Sequence, residues 1–262
     1  MIKTHNDQAQ ISPAIKILLD DIADKIEKLL GDNFVGLYVH GSIAMNCFNP
    51  LISDIDFLIV IREKIGVREK RNLAQILLDA KCDAKKGVET SVVLLKYTKN
   101  PVFPTPFEFH FSKGWEEKYR RNEVDYSKES FDPDLGAHFT VTKKRGFVWR
   151  GLPISKVFSD VPKEFYKKSL LYDFNDLDKN IFANPVYGIL NACRTVAYLK
   201  DEIVLSKKEG GEWALENLDI QYCPIVRQAL LSYETGEKFS ELNKHTTDSF
   251  VHYLKSLVKR FS

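Results

Sequence analysis

Residues 53–61 read Ser-Asp-Ile-Asp-Phe-Leu-Ile-Val-Ile, and this stretch constrains the fold more than any other. Five successive apolar residues, three of them β-branched, suit a strand buried on both faces, and such a strand belongs in a sheet covered by other layers. Directly ahead of it stand Asp54 and Asp56. Strand geometry turns both carboxylates to one face and Ile55 to the other. Two like charges beside a core are costly unless a cation sits between them. Taken alone, Asp-x-Asp at a strand start also serves as a helix cap or a surface turn.

The surrounding pattern is α/β. Ser12-Pro13 caps a helix whose apolar residues, Ile15 to Leu30, follow helical spacing up to Gly31. Strands are expected at 34–39 and 88–95, with a helix over 67–82 between them. Beyond the proline-rich 99–106 the spacing predicts helices at 107–121 and at 132–145, the latter capped by Asp132, and an edge strand at 147–153. From about 155 onward only helices are expected: one opened by Asn184-Pro185, one by the capping box Ser206-Lys-Lys-Glu209, and two more at 223–235 and 238–260. This predicts an α/β domain over residues 1–155 and an all-α helical bundle over 156–262.

Charge narrows the partners. Residues 1–150 hold 23 Lys/Arg against 21 Asp/Glu, and the remainder 15 against 15, so neither half is a polycation suited to long nucleic acid or a membrane surface. Cys47, Cys82, Cys193 and Cys223 are scattered, which points to reduced thiols rather than zinc or a disulfide framework. The polar opening MIKTHNDQAQ lacks a signal peptide's apolar region, and the expectation is a cytoplasmic protein.

The chemistry concentrates around the acidic pair. Gly41-Ser42 follows a strand, where free backbone N–H groups and a hydroxyl can hold a phosphate. Asp54 and Asp56 offer hard oxygen ligands suited to magnesium, and Glu89, opening a later apolar strand, joins the same sheet edge. Together these suit phosphoryl or nucleotidyl transfer. Individually, a Gly-Ser turn is common and a strand-start glutamate is usually solvated.

The pattern resembles the nucleotidyltransferase superfamily that includes DNA polymerase β. The segment NPVYGILNACRTVAYLKDEIVLSKKEGGEWALENLDIQYCPIVRQALLSYETG, with FVHYLKSLVKRF after it, resembles the C-terminal helical domain of the streptomycin and spectinomycin adenylyltransferases. That resemblance implies transfer of AMP from Mg-ATP to a hydroxyl of an aminoglycoside or aminocyclitol. Asp54 and Asp56 fall where the family binds magnesium, Ser42 and Ser53 where it holds the triphosphate, and Glu89 on its base. Arg194 and Lys207 fall on contacts to the ATP phosphates and Tyr233 on a tyrosine near the nucleotide. The chain departs from the family at Asn184, where an aspartate is expected, and Trp115 only roughly meets the family's tryptophan. Asp176 or Asp178 would receive a cationic acceptor. Two alternatives stay open: another acceptor (protein, tRNA or a small metabolite), or an ATP-binding module without turnover.

Overall fold

The computed structural model describes residues 11–261, and the polar opening read above lies outside them. The chain divides into two compact units, Met1–Pro162 and Lys163–Ser262. The first contains α1 (Pro13–Leu30), β1 (Phe34–Val39), α2 (Gly41–Ala44), β2 (Ile55–Ile61), α3 (Val67–Leu78), β3 (Val88–Leu94) and α4 (Leu95–Lys99). It continues with β4 (Thr105–Phe107), β5 (Phe109–Phe111), α5 (Glu116–Arg120), β6 (Ser130–Asp132), α6 (Leu135–Arg145), β7 (Phe147–Gly151) and α7 (Ile154–Val157).

Five strands form one sheet in the order β5-β3-β2-β1-β7, with β2 and β3 parallel and the other pairs antiparallel. As expected for an unbroken apolar run, β2 is cored on both faces. Ile55, Phe57, Ile59 and Ile61 pack with Leu19 and Ile22 of α1 and Leu73 of α3. Leu58 and Val60 pack with Leu135 and Phe139 of α6 and with Phe158. Each such side chain contributes about 1.5–3 kcal/mol by leaving water. Strand parity places Asp56 on the α6 face, and the parallel register sets it beside Glu89 of β3. Within β2 and β3, Asp56 and Glu89 are the residues that stay partly exposed.

Several boundaries differ from expectation. The helix predicted over 107–121 is replaced at its start by strands: Phe107, Phe109 and Phe111 alternate with polar residues, and β5 completes the sheet by pairing with β3. Helix α5 covers the end of that window only. Helix α6 begins at Leu135 rather than just after Asp132, because Asp132 is drawn into β6 by its pairing with Thr105. Asp132 instead ends β6, and its carboxylate accepts from the Asp134 N–H at 2.8 Å.

The second unit is helical: α8 (Lys163–Asn175), α9 (Leu177–Ala183), α10 (Pro185–Asp201), α11 (Lys207–Asn217), α12 (Cys223–Thr235) and α13 (Lys244–Phe261), which starts later than the predicted 238. Asn184 caps α10 by accepting from the Tyr187 N–H, and the Ser206/Glu209 capping box opens α11. Helices α10 and α11 touch closely. A Cβ at Gly210 would lie 2.6 Å from the Arg194 Cβ, so glycine is what lets them meet.

Among the described residues, no helix is long and apolar enough to cross a membrane.

Candidate active site

The site of the first unit is built where β1 ends. His40 donates its backbone N–H to the Asp56 carbonyl at 3.0 Å, tying the turn to the neighbouring strand. Gly41 follows at φ +60, and a Cβ there would lie 1.9 Å from Asp56 Oδ2. Both the backbone angle and the close approach demand glycine. Ser42 comes next, its Oγ buried and without a hydrogen-bond partner among the described residues. An orphaned buried hydroxyl costs about 1–3 kcal/mol, which a ligand oxygen would remove.

Facing this turn, Asp54, Asp56 and Glu89 can bring one carboxylate oxygen each to within 4.8 Å of one another. The Glu89 carboxyl is held well above the usual carboxylate range, chiefly by burial. His138 opposes that shift, while the charge and hydrogen bond of Asp54 add to it. Three hard oxygens in mutual repulsion, beside a buried hydroxyl with no partner, fit a divalent cation bound with a phosphate. Ser53 is buried, and its Oγ accepts from the Asn49 N–H at 3.2 Å, which closes the loop leading into Asp54.

Sequence reasoning missed the histidines. His138 of α6 pairs through Nε2 with Asp134 Oδ2 at 3.2 Å, and its ring lies 5.0 Å from that of His40. Burial alone would lower its pKa, but the Asp134 charge and hydrogen bond, with Asp132 and Glu89, outweigh burial and push it up to about 10. His40, fully enclosed beside that cation, is pushed well below the ordinary imidazole value, first by burial and then by His138. The i,i+4 spacing of Asp134 and His138 was the available signal.

The remaining predicted residues separate into distinct settings. Trp115 is 37% exposed, with the Lys118 ammonium 4.4 Å from its ring centroid. In the second unit, Arg194 Nε donates to Asn191 Oδ1 at 2.7 Å, and the Lys207 ammonium lies 4.9 Å from the Tyr187 ring centroid. Tyr233 is buried on α12. Asn184 is occupied as the α10 cap. Asp176 and Asp178 are exposed, and each pairs with a lysine, Lys179 and Lys255 respectively.

Comparison with known proteins agrees with this geometry. Residues 19–126 match the nucleotidyltransferase domain family, and residues 156–257 match the C-terminal domain of aminoglycoside adenylyltransferase. Sequence and acidic cluster thus define the class: the chain is a nucleotidyltransferase. Similar proteins include a spectinomycin 9-adenylyltransferase of Campylobacter jejuni, 20% identical, with 89% of this chain and 91% of that protein covered. The corresponding protein of Enterococcus faecalis is 21% identical over 97% of each. An aminoglycoside (3'') (9) adenylyltransferase of Klebsiella pneumoniae is 21% identical, with 92% of this chain and 94% of that one covered. The fold is that of an enterococcal spectinomycin adenyltransferase crystallised with ATP and spectinomycin: TM-score 0.79, 20% identity, 93% of this chain and 98% of that one. The chain belongs with the aminoglycoside adenylyltransferases, as the sequence resemblance implied.

Proposed function

We propose that this enzyme transfers AMP from Mg-ATP to a hydroxyl of an aminocyclitol or aminoglycoside of the spectinomycin or streptomycin type, releasing pyrophosphate. The observation that carries the reading is the Asp54, Asp56 and Glu89 cluster set against the Gly41-Ser42 turn. Two relatives named as spectinomycin 9-adenylyltransferases support the acceptor class.

Asp54 and Asp56 would hold magnesium, which supplies neutralisation of phosphate charge. The Ser42 hydroxyl and the N–H groups opening α2 would take phosphate oxygens. Glu89, with its raised proton affinity, would accept the proton of the acceptor hydroxyl. The freed oxygen then attacks the α-phosphorus, the bond from that phosphorus to the β-phosphate bridging oxygen breaks, and pyrophosphate leaves. Arg194 and Lys207 would balance charge on the phosphates, with Tyr233 near the nucleotide. Near-neutral charge in both halves favours a small acceptor over tRNA. Use of ATP fits a cytoplasmic enzyme.

A pyrophosphate-release assay with Mg-ATP and a panel including spectinomycin and streptomycin tests this reading. Release dependent on a panel member is expected. Release only with a protein, tRNA or unrelated metabolite would replace the acceptor, and ATP binding with no release for any acceptor would overturn the assignment as a transferase.

A further inference from the structure

Arg194 and Lys207 share a support that the family resemblance does not assign. Tyr187, Asn191 and Arg194 stand at i, i+4 and i+7 on α10 and so share one face. Asp173, on α8, meets that face: its Oδ2 accepts from the Tyr187 hydroxyl at 2.5 Å and from Asn191 Nδ2 at 3.3 Å. The two residues that donate to Asp173 then lead to the two cations. Asn191 Oδ1 takes the Arg194 Nε–H, and the Tyr187 ring lies beneath the Lys207 ammonium.

We propose that Asp173 is a positioning residue that orients both Arg194, through Asn191, and Lys207, through Tyr187. This rests on the reading that those two cations meet the nucleotide phosphates. The physical case begins with the amide. Asn191 is 4% exposed, and a buried amide can present either its oxygen or its NH2 to a neighbour. A carboxylate that binds the NH2 end leaves only the oxygen for Arg194. Without Asp173 the amide can turn over and set two donors against each other. With Nε fixed, the guanidinium's terminal nitrogens remain to donate to an oxyanion in a planar fork. On the other branch, a phenol donating to a carboxylate gains negative charge on its ring, which strengthens its attraction for an ammonium above it. The close α10–α11 contact at Gly210 places the two branches side by side. Asp176 and Asp178, by contrast, are exposed and paired with lysines at the surface.

The test is a thermodynamic cycle on the full chain, with Mg-ATP affinity read by calorimetry and melting temperature read in parallel. Asp173→Ala should weaken Mg-ATP binding roughly tenfold. In an Arg194→Ala/Lys207→Ala background the same change should have no further effect on affinity, because Asp173 acts through those side chains. A merely structural aspartate would lower the melting temperature and weaken ATP by the same factor in both backgrounds, and that result would overturn the proposal. Wild-type affinity in Asp173→Ala would overturn it as well. If Asp173→Ala does not fold, Asp173→Leu, which fills the volume but accepts no hydrogen bond, carries the same cycle. Unchanged ATP affinity in the Arg194→Ala/Lys207→Ala protein is a distinct outcome: it removes the phosphate contacts themselves, and the proposal with them.

Discussion

Glu89 shows how one residue's role depends on what surrounds it. Its half-buried side chain lies beside Asp54 and is faced by the His138 cation, so its proton affinity is set first by burial and then by opposing fields rather than by its position in a strand. If it is the base, Glu89→Gln keeps shape and hydrogen-bonding reach but loses the ability to take a proton. Mg-ATP should then bind nearly as in wild type while turnover falls roughly 10²–10⁴-fold. Affinity lost in parallel with turnover would make Glu89 a metal ligand instead, and near-wild-type turnover would remove it from the mechanism. At this scale the sequence was readable for the acids, since Asp-x-Asp before an apolar strand and an acid opening a later strand are local patterns. For His40 and His138 the sequence held one local sign, the i,i+4 spacing of Asp134 and His138. Their importance comes from α6 lying on the sheet face that strand parity assigns to Asp56 and Glu89, and this is a tertiary fact.

At the scale of elements, most boundaries followed from caps. Ser12-Pro13, Asn184-Pro185 and the Ser206/Glu209 box each start a helix where expected. The segment 107–121 did not follow, because two periods coexist there. Phe111, Trp115 and Tyr119 keep i,i+4 spacing, while Phe107, Phe109 and Phe111 alternate. The open edge of β3 decides for strand over the first part. That edge pairing half-buries His110, whose Nδ1 lies 3.0 Å from Ser91 Oγ. Burial lowers its pKa to about 4 against the opposing pull of Asp132, and the His138 charge adds a smaller push in the same direction as burial. A histidine with a depressed folded pKa contributes stability that is fully present above its unfolded value of about 6.5. That stability is lost as pH falls from there toward 4. The limit for such a shift is about 3 kcal/mol. His110→Gln should therefore show a shallower fall in melting temperature between pH 6.5 and 4 than wild type. Identical slopes in the two proteins would show that His110 does not titrate in the folded state at that pKa.

For the whole molecule, the central balance is between an acidic cluster that repels itself and the ligand that relieves it. Asp54, Asp56 and Glu89 are held together by the parallel β2–β3 register and by the turn at Gly41, so folding gathers negative charge that the unfolded chain disperses. A ligand that binds only the folded state stabilises it by mass action, about 2.7 kcal/mol at a hundredfold excess over its dissociation constant. For a chain of this size that corresponds to a rise of roughly 5–10 °C in melting temperature. Mg-ATP should produce such a rise, and chelation of the metal should remove most of it. Asp54→Asn and Asp56→Asn each delete one anionic ligand and also part of the repulsion. Both variants should therefore melt at or above the wild-type temperature without ligand, yet show little response to Mg-ATP and no turnover. Scanning calorimetry with and without Mg-ATP measures both halves of that expectation. A full Mg-ATP response in either variant would mean that the pair does not hold the metal, and a wild-type response to ATP under chelation would mean that the nucleotide binds without one.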